Sequence, residues 1–166
     1  MTKETGDTAR NAATQDCVQV CPEFCIPIIE HFSFLNQEFG FEEPVFKHVS
    51  RECSVTFSRE DSQIKISYEP YTLPWGYIIR SDETIPIDDL IGRYGFHLDE
   101  TKYREYDEIR NKLFSLLDSP READEYAVGA KTQFEHAVAE HLKDIASFLR
   151  EHWTNILLEL GNNTES

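Results

Sequence analysis

No stretch of the 166-residue chain approaches the eighteen or so consecutive apolar residues that a membrane-spanning helix needs. The opening segment, Met1 to Asp16, also lacks the apolar run of a secretory signal, so the protein is expected in the cytoplasm. Basic residues are scarce: 16 Lys plus Arg stand against 31 Asp plus Glu, a formal net charge of −15. Such a balance repels a nucleic-acid backbone or an anionic bilayer, and neither is expected as a partner. Glycine is scarce as well. The seven present form no phosphate loop, no G-x-G-x-x-G and no G-x-S-x-G elbow, which makes nucleotide chemistry a poor fit. What is abundant is large hydrophobes. With 40% apolar residues, among them 11 Phe, 7 Tyr and 2 Trp, the chain is too apolar to stay disordered and has the length of one domain.

Residues 1–22 carry no apolar period and read as a flexible N-terminal tail, leaving 23–160 as a single domain and 161–166 as a frayed end. From Pro27, the residues Ile28, Ile29, Phe32, Leu35 and Phe39 recur at helical spacing, and Gly40 closes that helix. Period two then takes over. Cys53, Val55 and Phe57 alternate with Ser54, Thr56 and Ser58, and Ile64, Ile66 and Tyr68 alternate with Lys65, Ser67 and Glu69, predicting a hairpin across Arg59–Ser62. Further strands are predicted at Trp75–Arg80 and, more weakly, Val45–Val49. A sheet-edge residue or two near Ile85 then leads into a short helix that ends near Gly92 or Gly95. Helical stripes return over about Asp99–Asp118 and Ala130–Leu160. The second would span roughly 45 Å, so it should kink, break or overhang. The fold class expected is α+β: an antiparallel meander of three or four strands packed on helices, with a helical C-terminal half.

Cys17, Cys21 and Cys25 recur every fourth residue, and Cys53 lies far along the chain. In a reducing compartment they are expected as buried, unpaired thiols, with a disulfide or a metal site as alternatives. Zinc ligands pair as C-x2-C or C-x4-C, and the C-x3-C-x2-C spacing of radical-cofactor clusters is missed by one residue. His136 and His141 are five apart, about 140° around a helix, and cannot share one metal ion. His136 and Glu140 share a face, which is commonplace on an exposed helix, and His31, His48, His97 and His152 have no partner at a fixed spacing. No catalytic residue, metal site or cofactor is therefore expected. Acidic doublets such as Glu42-Glu43 and Glu60-Asp61 point their side chains in different directions and read as solvated. One stretch stands out: Asp82, Glu83, Asp88, Asp89, Asp99 and Glu100 face a single basic residue, Arg93. A field of that sign steers a basic macromolecule, and the aromatic bend Tyr71 to Tyr77 is a second place where a partner could be anchored.

The order of Phe34-Leu35 through Phe39-Gly40-Phe41, then Cys53-Ser54-Val55-Thr56-Phe57, Ile64-Lys65-Ile66-Ser67-Tyr68-Glu69 and Ile85-Pro86-Ile87-Asp88-Asp89-Leu90-Ile91 resembles a group of small uncharacterised bacterial α+β proteins. Some of those are regarded as immunity-protein-like partners of secreted toxins. The likeness covers roughly residues 28 to 118 and rests on hydrophobic landmarks, so it implies a fold and a partner-binding role and transfers no functional residue. The function expected is a non-enzymatic acidic binding protein, an immunity-like inhibitor of a basic protein toxin, using Asp82, Glu83, Asp88, Asp89, Asp99 and Glu100. The alternatives are a small metal-dependent hydrolase assembled from dispersed His and carboxylates, and a structural homo-oligomer built through the last helix.

Overall fold

The computed structural model describes residues 2–70, 72–95 and 104–164, with side chains over 10–70, 72–95 and 104–160. Alternating apolar residues build its sheet. Strands β1 (Val45–Val49), β2 (Glu52–Arg59), β3 (Ser62–Tyr68), β4 (Trp75–Arg80) and β5 (Glu83–Pro86) pair antiparallel in chain order. The architecture is the expected α+β meander, with five strands instead of three or four, because Glu83–Pro86 pairs along its whole length with β4. The register aligns Phe46, Val55, Ile66 and Gly76 in one row and Phe57, Ile64, Ile78 and Ile85 in the next. A single period therefore delivers all of them to one face, where they are buried except for the half-buried Ile85. The opposite face is wetter and carries Thr56, Lys65 and Tyr77 in one row and Ser54, Ser67 and Trp75 in another.

Helices cover the apolar face. They are α1 (Thr2–Val20), α2 (Pro22–His31), α3 (Ser33–Gln37), α4 (Ile87–Arg93), α5 (Arg104–Ser115) and α6 (Pro120–Thr164). Pro22 occupies the first turn of α2, where its missing N–H removes no bond. The helix predicted from Pro27 to Gly40 is in fact two, α2 and α3, joined at Phe32, whose N–H still reaches the Ile28 carbonyl. The helix closes earlier than expected, at Gln37 with Glu38 as its cap, and Gly40, at φ +74°, turns the chain toward β1 after it. Gly76 answers a different need. A Cβ there would lie 2.7 Å from Ile87 Cδ1 and 3.0 Å from the Lys65 carbonyl oxygen, so the absence of a side chain is what lets α4 seat on the sheet.

Two boundaries differ from the sequence reading. The segment expected as a tail, residues 1–22, is a helix from Thr2, and its later residues belong to the fold. Cys17 and Cys21 are buried, and Cys17 Sγ lies 3.7 Å from the Lys47 carbonyl of β1. A polar helix without an apolar stripe can be held by a few contacts at one end, which a search for periodicity does not detect. At the other end, α6 begins at Pro120 instead of Ala130 and continues to Thr164, so it has 45 residues and a length of roughly 68 Å. The expected overhang is its N-terminal part, where α5 packs along it and the Tyr106 and Phe134 rings meet at 5.4 Å. The remainder carries Val138, Leu142, Ile145, Leu149, Trp153 and Ile156 into the same buried cluster as the sheet and α2. Among the described residues, no helix is long and apolar enough to cross a membrane.

Candidate functional site

The acidic residues singled out by the sequence cluster on the β5 side of the sheet. Asp82 lies in the β4–β5 turn and Glu83 opens β5, while Asp88 and Asp89 occupy the first turn of α4, where they also complement its dipole. All four are exposed, and none makes an ion pair among the described residues. The two pairs bracket a four-residue strand and so stand roughly 14 Å apart. Arg93, the one basic residue of this stretch, is drawn away: its Nη1 donates to Glu159 Oε1 at 2.8 Å, which leaves the acids unbalanced. Asp99 and Glu100 lie outside the described residues.

Folding adds acids that the sequence reading had set aside as solvated loop. The Ser81 N–H reaches the Asp61 carbonyl at 3.4 Å, so the Glu60-Asp61 turn sits beside Ser81-Asp82 at one end of the sheet. Arg80 is the local counter-charge, with Nε 3.5 Å from Asp61 Oδ2 and Nη1 donating at 2.9 Å to the Leu157 carbonyl. Farther off, Glu105, Glu108 and Glu125 line a cleft of about 440 Å³ between α5 and α6. Glu125 falls before the Ala130 start that periodicity gives the last helix, so nothing in the sequence signals that these three acids come together.

A second concavity, of about 520 Å³, opens between α1, the α2–α3 corner and β1. Ile28, Phe32, Phe46 and Phe57 lie beneath it but are buried in the core, so its open apolar surface comes mainly from the half-exposed Ile29 at one side. Polar groups ring the mouth, among them Arg10, Asn11 and Thr14 on one face of α1 and Asn36 and Glu43 opposite. Thr14 Oγ1 donates to the Arg10 carbonyl at 2.9 Å and Asn36 Nδ2 to the Phe41 carbonyl at 2.8 Å. Arg10, a half-buried residue, has no acidic partner among the described residues. The sequence gives no sign of this groove, because α1 carries no apolar stripe to mark it as part of the fold.

The four cysteines come together. Cys17, Cys21 and Cys25 follow one another along the α1–α2 joint, and Cys21 is disulfide-bonded to Cys53 of β2, a correction to the expected set of unpaired thiols. Cys17 and Cys25 do remain free and buried. Their thiols share a hydrogen bond that pushes Cys17 down and Cys25 up, with burial adding to the rise of Cys25. The described histidines are not gathered. His48 pairs with Asp16 at 3.4 Å beside β1, His152 stacks on Tyr94 and Phe148, and His141 is buried. Among the described residues no three His, Cys, Asp or Glu side chains come together as a metal ion would require. Comparison with protein-family models, curated proteins and solved structures finds no match to this chain.

Proposed function

We propose that the protein is a non-enzymatic binding protein whose acidic β5 side engages a basic macromolecule, in the manner of an immunity-like inhibitor of a basic toxin. One observation carries this reading: Asp82, Glu83, Asp88 and Asp89 are exposed around one edge strand and make no ion pair among the described residues, while Arg93 is held by Glu159. Unpaired surface carboxylates do little for stability but accelerate encounter with a positive partner and orient it. The strand itself is short and contains Pro86, which blunts it against strand addition, so recognition falls to side-chain charge. A cytoplasmic location is part of the proposal. It requires that burial of Cys21 and Cys53 shield their bond from the cellular thiol pool.

The test compares capture from a host lysate by the wild-type protein and by a variant carrying Asp82→Asn, Glu83→Gln, Asp88→Asn and Asp89→Asn. A basic protein retained by the first, lost by the second and associating more slowly as salt rises is the expected result. Equal capture by both proteins, or association indifferent to salt, overturns the assignment.

Self-association is a second reading, favoured by one further observation. Phe114, Leu117 and Val128 are 57%, 68% and 77% exposed near the tip of the α5–α6 hairpin, an unusual density of open apolar side chains. Light scattering over a range of concentrations should then show a mass that rises with concentration, and that falls back in a Leu117→Glu, Val128→Glu variant.

A further inference from the structure

We propose that the reduced protein holds a zinc ion between Cys17, Cys21, Cys25 and Cys53, in a closed all-thiolate site. The α1–α2 joint is what brings them together. On a straight helix, residues eight apart are separated by about 12 Å along the axis, too far for two cysteine side chains to meet. Here Cys21 takes φ −130° and ψ 61°, which breaks the helix at the middle of the series, although the Cys21 N–H still reaches the Cys17 carbonyl at 2.7 Å and the Cys25 N–H the Cys21 carbonyl at 2.9 Å. α2 therefore leaves at an angle, and the Cys17 and Cys25 thiols meet in a hydrogen bond. The sheet supplies the fourth sulfur, since Cys21 is bonded to Cys53 of β2. The two pairs are neighbours: Cys17 Sγ contacts the Lys47 carbonyl, and Lys47 precedes His48, the residue that faces Cys53 across the β1–β2 ladder. All four lie in one buried cluster.

With Cys21 and Cys53 bonded to each other, only two thiols remain, and among the described residues the oxidised form assembles no metal site. Reduction changes the donor set. A dithiol reductant gives up two electrons and two protons to become a disulfide, and Cys21 and Cys53 become thiols. A newly made chain likewise carries all four as thiols before the bond forms. Zinc then displaces the thiol protons to solvent and takes four thiolates. Sulfurs at about 2.3 Å from the metal stand about 3.8 Å from one another in a tetrahedron, close to the spacing of hydrogen-bonded thiols, so Cys17 and Cys25 need to move little. The nearby nitrogen and oxygen donors are engaged elsewhere, His48 by Asp16 at 3.4 Å and Glu23 by the Tyr68 hydroxyl at 3.0 Å. Four soft ligands with no position left open suit a structural zinc ion. α2 begins beside Cys21, and the positive end of its dipole offsets the charge of the thiolates gathered there.

The experiment titrates zinc, in competition with a chromophoric chelator, into the full-length protein reduced with a phosphine, freed of metal and kept anaerobic. One zinc per chain and a raised denaturant midpoint are expected, whereas the oxidised protein should bind none and keep its midpoint. Cobalt in place of zinc should show the visible absorption of a tetrahedral tetrathiolate. Cys17→Ser and Cys25→Ser should each weaken zinc at least tenfold and alter the cobalt spectrum, and His48→Gln should do neither. Circular dichroism of the oxidised variants, which retain the Cys21–Cys53 bond, confirms their fold. Absence of zinc binding by the reduced protein, equal binding by the oxidised protein, or unchanged affinity in Cys17→Ser and Cys25→Ser overturns the proposal. Iron and sulfide in place of zinc, in protein purified anaerobically from cells, overturns the zinc assignment.

Discussion

The Tyr94 hydroxyl donates to Glu159 Oε2 at 2.6 Å, closing the end of α4 onto α6, and Arg93 holds the other oxygen of the same carboxylate. Burial and then this hydrogen bond push the Tyr94 phenol up to about 12, while Tyr94 and Arg93 hold Glu159 below its ordinary value. The two signs differ. The Glu159 contribution is present above the normal carboxylate pKa and is lost as pH falls through the depressed one. The Tyr94 contribution is intact below the normal phenol pKa of about 10 and is lost as pH rises toward 12. Spectroscopic titration of the phenols should find Tyr94 ionising near 12, with Glu159→Gln moving that step down. Tyr94→Phe should lower stability by about 1 kcal/mol. A Tyr94 step at the normal value in the wild-type protein would rule this pairing out.

Gly76→Ala tests the seating of α4. The new methyl would press on Ile87 and on the Lys65 carbonyl oxygen, and the backbone atom cannot swing aside as a flexible side chain can. Denaturant unfolding should show a loss of about 1–3 kcal/mol, the usual range for overpacking. Truncating Ile87 to Val in the same background should recover part of it. An unchanged midpoint in Gly76→Ala would mean that α4 does not approach the sheet this closely.

The Cys21–Cys53 bond closes a loop with a sequence separation of 32. Chain-entropy arguments assign such a loop about 3–4 kcal/mol. The Cys21→Ser, Cys53→Ser double variant, measured without reductant, should unfold at correspondingly lower denaturant. The wild-type protein should match it only after reduction. Mass spectrometry of the non-reduced wild type should find one bond and two free thiols, at Cys17 and Cys25.

Burial holds the His141 imidazole below its ordinary value, against the opposing pull of Asp88, Asp144 and a hydrogen bond to the Pro74 carbonyl. A depressed histidine favours the neutral ring in the folded state. Its contribution is present above about pH 6.5 and is lost as pH falls below that. NMR titration should place the His141 ring below an exposed histidine. Stability should drop between about pH 7 and pH 5 by more in the wild type than in His141→Gln. Equal drops would show that the acid sensitivity arises elsewhere.

The strands were readable because their signal is local: Val55 and Phe57, Ile64 and Ile66 alternate with polar residues whatever the rest of the chain does. Glu83–Pro86 was visible only as an edge fragment, since four residues with mixed burial hold no period. The start of α6, from Pro120 to Gly129, carries no readable stripe for a similar reason. Between Pro120 and Gly129 only Ala127 is buried and only Ala123 and Tyr126 half-buried, and α5 supplies the contacts that hold them. Site residues followed the same division. Asp82, Glu83, Asp88 and Asp89 lie in one stretch and were found together, whereas the Glu60-Asp61 turn, the Arg10 groove and the Cys21–Cys53 pair depend on docking between distant segments.

Strand neighbours in this sheet are also neighbours along the chain, with connections of two residues at Ser50–Arg51, Glu60–Asp61 and Ser81–Asp82. Such pairings close small loops and form early, whereas the contacts of α2 with α6 join regions about a hundred residues apart. On a ribosome, then, the hairpins can zip in sequence while the apolar side waits for its lid. Until Leu142 through Leu160 emerge, the nascent polypeptide exposes an uncovered greasy platform, and that interval is when a chaperone has most reason to hold it.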